Sequence, residues 1–215
     1  RKICHGLNLD LFFNRIPFSN PLNHENYVKM AKNIPEVTEQ ILPNQTIDVI
    51  AYGCTSGTIA VGEDYITDQI HKKKPSALVT TPITAALKAF NELNFKKIAV
   101  LTPYPKEVNL TVFNYLKKNN IEIDSFSSFN LNYDSEIAQV SLDSLLEEIS
   151  KINLDKVDGL FVSCTALKIV EILEIVEKKL KTTVVSSNQA IIWDCLRLAN
   201  IKTNIKGYGK LFEMQ

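Results

Sequence analysis

The sequence lacks the features that would direct it to a membrane or to nucleic acid. It has no apolar run long enough to cross a bilayer and no signal-peptide pattern, so we expect a cytoplasmic protein. Positive and negative side chains balance at 24 each, and no basic cluster is interleaved with aromatic residues. The lysines at 72–74 fit a solvated helix end. We therefore expect no nucleic-acid partner and no membrane partner.

Clustered metal ligands are also absent. The four cysteines stand far apart in the sequence: Cys4, Cys54, Cys164 and Cys195. The three histidines form no ligand pair: His5, His24 and His71. A structural zinc site needs four closely spaced nitrogen or sulfur ligands, so we expect no metal. Four cysteines would permit two disulfides in a secreted protein, but the absence of a secretion signal favours reduced thiols.

Two segments of the chain repeat one pattern. Residues 48–55 read DVIAYGCT, and residues 158–165 read DGLFVSCT. Each segment begins with an aspartate six positions before a cysteine, continues as a short apolar strand and is followed by a helix-like stretch. The repeat predicts two similar half-domains, each with one thiol at the carboxyl end of a parallel strand, where open α/β sheets bind their ligands.

Strand and helix patterns alternate along the chain. Apolar runs predict strands at 48–52, 76–80, 97–101, 121–126, 160–163 and 183–185. Helical spacing predicts helices at 58–72, 82–94, 106–119, 135–152, 167–180 and 188–199. This alternation predicts an α/β fold with parallel sheets. We place the first lobe, on the Cys54 side, at 1–92 plus 188–215, and the second lobe, on the Cys164 side, at 93–187.

The surroundings of Cys54 and Cys164 favour a catalytic role for these two thiols. Backbone N–H groups and the dipole at a helix start stabilise a thiolate, which makes a nucleophile or a base. Gly53 and Gly57 would let a ligand approach the backbone closely. Hydroxyl-rich turns at 80–85 and 186–190 start helices at equivalent places and suit a small carboxylate. The alternative is that both cysteines are buried core residues; their matched contexts favour function.

Four motifs resemble the aspartate/glutamate racemase superfamily. They are GCTSG at 53–57, TPY at 102–104, SCT at 163–165 and SNQA at 187–190, the last followed by Trp193. Within the superfamily, they are most similar to the branch of maleate cis-trans isomerases, arylmalonate decarboxylases and the ectoine-utilisation proteins called EutA. The resemblance extends over nearly the whole chain from about Arg15.

The resemblance implies two similar Rossmann-like lobes, related by a pseudo-two-fold axis, that close over a small carboxylate without metal or organic cofactor. It implies that Cys54 and Cys164 are the catalytic pair on either side of the reacting carbon, and that Tyr104 hydrogen-bonds the carboxylate. The remaining substrate-binding residues it implies are Thr55, Ser56, Thr165 and Ala166, with Asn132 as a weaker match. We also expect a homo-oligomer, either a dimer or a tetramer.

Several activities remain open at this point. A racemase would use one thiolate to remove a proton and one thiol to return it, whereas a maleate isomerase would add a thiolate to a double bond and later expel it. Decarboxylases of this branch keep only the second cysteine, so Cys54 argues against a pure decarboxylase. Residues 1–10 show no version of the family's opening strand and Asn-bearing loop. That favours a rival: a carboxylate-binding or regulatory protein without turnover. A redox protein would need thiols near bonding distance.

Overall fold

The computed structural model describes residues 1–214. The strands are β1 Val49–Ala51, β2 Leu78–Thr80, β3 Lys97–Thr102, β4 Glu122–Ser128, β5 Gly159–Val162 and β6 Val184–Ser186. The helices are α1 His24–Ala31, α2 Ile34–Glu39, α3 Thr55–Val61, α4 Glu63–His71, α5 Pro82–Glu92, α6 Lys106–Lys118, α7 Asp134–Ala138, α8 Leu142–Ser150, α9 Leu173–Leu180 and α10 Ser187–Leu198. Short 3₁₀ turns occur at Ile169–Glu171 and Lys210–Glu213. Within the described chain, no helix is long and apolar enough to span a membrane.

The strands form two separate parallel sheets, which confirms the α/β fold. β1 pairs with β2, so that Ile50 lies opposite Val79. The other sheet has the order β4-β3-β5-β6, with Val100 of β3 opposite Phe161 of β5. No strand occurs before β1 in the described residues, as the sequence of residues 1–10 predicts. Helix α10 packs on α5 and β1, next to the two-stranded sheet. The two-lobe division and its pseudo-two-fold relation stay predictions.

The predicted helix boundaries agree best with the structure where a capping residue can be recognised in the sequence. Thr81 caps α5 and Pro82 occupies its first turn, as predicted. The helix predicted over 58–72 is split into α3 and α4 at Gly62, whose φ of 90° breaks the helix. The helix predicted over 135–152 is split into α7 and α8, because the Ser141 side chain caps a new start at the Ser144 N–H.

The core lies along β3 and β5. All four residues of β5 are buried, and so are the last five of β3, as expected for parallel strands covered on both faces. Phe161 meets Phe90 edge-to-face, with ring centroids 5.3 Å apart. Gly159 is required at the start of β5, because a Cβ there would lie 2.2 Å from the Phe95 ring. This packing helps to position β5, which ends two residues before Cys164.

Candidate active site

Cys54 stands at the junction between β1 and α3. Its backbone is extended, and its thiol sulfur accepts a hydrogen bond from the Gly57 N–H at 3.3 Å, so the side chain caps the helix. The Thr58 hydroxyl donates to the Cys54 carbonyl at 2.7 Å and anchors the same turn. The helix start predicted at this cysteine is confirmed, and it begins directly after the cysteine rather than at residue 58.

Gly57 is needed to make room for the thiol of Cys54. A Cβ at position 57 would lie 2.8 Å from that sulfur and 2.9 Å from the hydroxyl oxygen of Tyr52. At Gly53, by contrast, no heavy atom lies within 4 Å of a built Cβ. The two glycines thus have different roles: Gly57 admits the protein's own sulfur, and Gly53 leaves open space.

Gly57→Ala is expected to disturb Cys54 and to destabilise the fold by about 1–3 kcal/mol, the usual cost of forcing a methyl group into a packed site. Gly53→Ala is the matched control and should leave the melting temperature unchanged. Thermal unfolding of both variants, together with the rate of thiol alkylation at Cys54, provides the measurement. Equal melting temperatures for the two variants would contradict this account of Gly57.

Cys164 follows β5 but is not followed directly by a helix. Its φ is 107°, a strained value for a residue other than glycine, and its sulfur accepts the Ala166 N–H at 3.4 Å. The helix predicted from residue 167 is replaced by the turn at Ile169–Glu171 and then by α9. The Asn188 amide explains the irregular stretch, since it donates to the Thr165 and Leu167 carbonyls at 2.9 and 3.2 Å.

Hydrogen bonds join the two cysteine-bearing turns to each other. The Ser187 hydroxyl oxygen accepts from the Thr55 hydroxyl and from the Cys164 N–H, both at 3.0 Å. The Thr165 hydroxyl donates to the Gly53 carbonyl at 2.7 Å. The threonine hydroxyls expected to donate to an anion therefore donate within the protein instead. Ser187 was visible in the SNQA motif, but its bridging role was not predicted.

One cavity of about 410 Å³ contains both thiols. Its lining includes most of the predicted site: Cys54, Thr55, Ser56, Tyr104, Cys164, Thr165 and Ala166. Helices α1 and α2 supply an apolar wall through residues such as Met30, Ile34 and Val37. The cavity thus brings together cysteines from turns after two different sheets.

Comparison with known proteins identifies the family. The family profile described as arylmalonate decarboxylase matches residues 19–212, which is most of the chain. The chain belongs to the arylmalonate decarboxylase family. It is 28% identical over 137 residues to the arylmalonate decarboxylase of Bordetella bronchiseptica, covering 62% of this chain and 57% of that protein. It is also 21% identical over 178 residues to the maleate isomerase of Alcaligenes faecalis, covering 79% of this chain and 70% of the relative.

Solved structures of related proteins share the fold. A mutant of the Nocardia farcinica maleate cis-trans isomerase with a covalently bound succinylcysteine intermediate aligns with a TM-score of 0.90 at 18% identity, over 98% of this chain and 89% of that one. A crystal structure of arylmalonate decarboxylase aligns with a TM-score of 0.73 at 23% identity, over 90% and 86% of the two chains. At these identities, the likeness supports the fold alone.

The thiols of this family member are neutral at pH 7. Burial raises the pKa of Cys54 to about 11 and the pKa of Cys164 to about 12. The Gly57 and Ala166 N–H groups act in the opposite direction at their respective sulfurs, as does the Tyr104 hydroxyl near Cys164. The expectation of a favoured thiolate is therefore wrong for the protein alone. The helix-start contribution is present at Cys54, but burial outweighs it.

Three tyrosines surround the thiols, and sequence reasoning found only one of them. Tyr104 is 2% exposed and lines the cavity. Tyr27 also lines it; its hydroxyl lies beside Ser56 without meeting the geometry of a hydrogen bond. The buried Tyr52 hydroxyl has no hydrogen-bond partner within residues 1–214. Tyr52 stood two positions before Cys54 in the repeat, whereas nothing in the sequence of α1 marked Tyr27.

Asn132 lies outside the set of residues that line the cavity. Its backbone N–H donates to a Glu136 carboxylate oxygen at 3.1 Å, and its carbonyl accepts the Leu22 N–H at 2.9 Å. Asp134, two residues later, lines the cavity instead. Asp134 was not predicted as a site residue, and its carboxylate gives the cavity a negative charge.

The remaining cysteines do not join this site. Cys4 and Cys195 are free thiols, like the catalytic candidates, and neither lines the cavity. Within the part of the chain that the structure describes, no group of three or more histidine, cysteine, aspartate or glutamate side chains could hold a metal ion. The groups that the cavity offers to a ligand are the two thiols, nearby hydroxyl groups, backbone N–H groups and the Asp134 carboxylate.

Proposed function

We propose that this protein is a cofactor-independent isomerase or racemase that uses Cys54 and Cys164 on a small carboxylate. One observation carries the proposal: thiols from turns after two separate sheets line a single cavity. If the two cysteines served only as core packing, we would not expect both of them to line one cavity of ligand size. Family membership and the isomerase and decarboxylase relatives support the same class of substrate.

Two reactions fit a pair of thiols. In racemisation, one thiolate removes the proton beside the carboxylate, and the other thiol returns a proton to the opposite face. In cis-trans isomerisation, one thiolate adds to a carbon-carbon double bond while the neighbouring carbon is protonated; rotation and loss of that proton expel the thiolate. The succinylcysteine of the Nocardia protein supports the second route, because it is a covalent adduct of this type.

The carboxylate itself would be held by groups around the first turn of α3 and the turn after Cys164. The N–H groups of Thr55 and Ser56 lie in the first turn of a helix, where backbone donors lack intrahelical partners. Ser56 also contributes a hydroxyl, while the Thr55 hydroxyl is committed to Ser187. Thr165 and Ala166 line the same cavity. Tyr104 would donate its hydroxyl hydrogen to the ligand.

Two alternatives stay attached to this proposal. The first is a carboxylate-binding or regulatory protein without turnover, in which burial keeps both thiols protonated. The second is a related decarboxylase, favoured by the 28% identity to the Bordetella enzyme. The presence of Cys54 argues against a decarboxylase, since a decarboxylation that protonates its product from one side needs only one thiol. The homo-oligomeric state stays a prediction that light scattering can check.

Turnover of a carboxylate substrate is expected to be unchanged by a metal chelator. The two-thiol mechanism uses proton transfer or covalent addition and needs no Lewis acid. The measurement is a substrate panel of maleate, aspartate, glutamate, hydantoins and ectoine-derived acids, assayed with and without chelator. Turnover that disappears with chelator and returns on addition of a divalent metal would refute the mechanism.

A further inference from the structure

Asp134 places a carboxylate in the cavity that contains the two thiols. It is the first residue of α7 and lines the cavity together with Cys54 and Cys164. Its side chain is exposed, and it makes no hydrogen bond or ion pair within residues 1–214. Only its backbone N–H is bonded, to the Asn20 side-chain oxygen at 3.1 Å. The protein therefore leaves this negative charge available to whatever occupies the cavity.

The charge of Asp134 acts on both thiols. Arg15 is the only positively charged residue among those that line the cavity, and it forms no ion pair with Asp134 in the described chain. Burial is the main cause of the raised pKa of Cys54 and of Cys164, and Asp134 adds to it at both sulfurs. The part of the cavity around the thiols thus combines apolar side chains, hydroxyl groups and backbone N–H groups with one carboxylate.

We propose that Asp134 determines ligand choice: the cavity accepts a carboxylate whose other end carries an ammonium or amide N–H donor, and it disfavours a second carboxylate. This inference rests on the carboxylate function proposed above. An N–H donor facing Asp134 would form a charge-assisted hydrogen bond, which is roughly twice as strong as a neutral one. A second carboxylate at that place would meet a like charge, which weakens its binding.

The same contact also bears on the thiol chemistry. A thiolate must form near Asp134 before either reaction can start, and every nearby negative charge opposes it. A ligand with a cationic or N–H donor end offsets the Asp134 charge and makes deprotonation easier. A dicarboxylate adds a second negative charge beside the forming thiolate. Asp134 therefore links the choice of ligand to activation of the nucleophile, because one neutralising contact serves both.

Matched ligands that differ at only one end provide the test. Binding of succinate, succinamate and β-alanine, and of maleate and maleamate, is measured by calorimetry at pH 7. The unmodified protein is expected to bind the amide or ammonium ligand about tenfold more tightly than the matching dicarboxylate. Asp134→Asn should remove most of this preference, chiefly by strengthening dicarboxylate binding. Its side chain is exposed, so the melting temperature should be unchanged, which differential scanning calorimetry checks.

Asp143→Asn is the matched control. Asp143 is an exposed aspartate in the first turn of the next helix, α8, and it does not line the cavity. This variant changes the net charge by the same amount and should keep the ligand preference of the unmodified protein. Equal shifts in both variants would overturn the proposal, because they would reflect net charge rather than contact with the ligand.

The remaining outcomes separate this inference from the proposed function. If dicarboxylates bind as tightly as their amides, and Asp134→Asn changes nothing, the role of Asp134 is refuted while the carboxylate function stands. If no ligand of the panel binds, the carboxylate function fails, and the inference fails with it. A preference for N–H donor ligands that is lost only in Asp134→Asn supports both.

Discussion

Replacement of Cys54 or of Cys164 by serine is expected to lower turnover by about a hundredfold to ten-thousandfold, the usual loss when a positioned proton donor or acceptor is removed. The thiols come from turns after different sheets, so each is expected to serve one side of the reacting carbon and neither can replace the other. Serine has nearly the same shape but a much less acidic hydrogen. Ligand binding, measured by calorimetry, should therefore be largely retained in both variants.

Cys4→Ser and Cys195→Ser are the controls. Both residues are free thiols outside the cavity, so both variants should keep their activity, apart from any packing loss at Cys195. Near-normal turnover in Cys54→Ser, combined with a dead Cys164→Ser, would make this a one-thiol enzyme of the decarboxylase type. If neither change matters, the protein is a binding protein rather than an isomerase.

The value of kcat/KM is expected to rise about tenfold per pH unit between pH 6 and pH 9, because it reports the ionisation of the free enzyme. Burial raises the pKa of Cys54 to about 11 and of Cys164 to about 12, so both thiols are protonated throughout this range. The thiolate fraction then grows tenfold with each unit. The substrate carboxylate is ionised at every pH in the series and contributes no slope.

The pH series needs a check that the protein stays folded, which circular dichroism at each pH provides. The sign of the slope is the decisive part. A raised thiol pKa predicts activity that increases with pH, whereas a thiolate already formed at pH 6 predicts a flat profile over the same range. A flat profile would show that the surroundings favour the thiolate more strongly than burial opposes it.

The fold and the thiol pair could be predicted from the sequence because both depend on local pattern. A strand with a following helix is encoded by contiguous residues, and the repeat at 48–55 and 158–165 displays that unit twice. The cap of α5 could also be predicted from the sequence, since Thr81 and Pro82 are adjacent. Helix ends inside long amphipathic stretches were missed where a single residue, Gly62 or Ser141, restarts the helix.

The rest of the site depends on contacts between distant segments. Asn188 holds residues 165–167 in an irregular turn, so no helix starts there, and the motif around Cys164 gives no sign of it. Tyr27 reaches the cavity because α1 packs against α3. Asp134 replaces Asn132 at the cavity because α7 begins at residue 134, and a difference of two residues is beyond what a helical pattern can specify.

The Ser187 hydroxyl has a consequence for the size of ligand that can react. This one oxygen accepts hydrogen bonds from the turn of Cys54, through Thr55, and from the backbone of Cys164. It belongs to neither cysteine motif, yet it ties both to the start of α10. The hydrogen bonds of Ser187 thereby hold the two cysteine-bearing turns at a set spacing. We expect that a change at position 187 would alter the spacing of the two turns, and with it the size of ligand that fits, without changing either thiol.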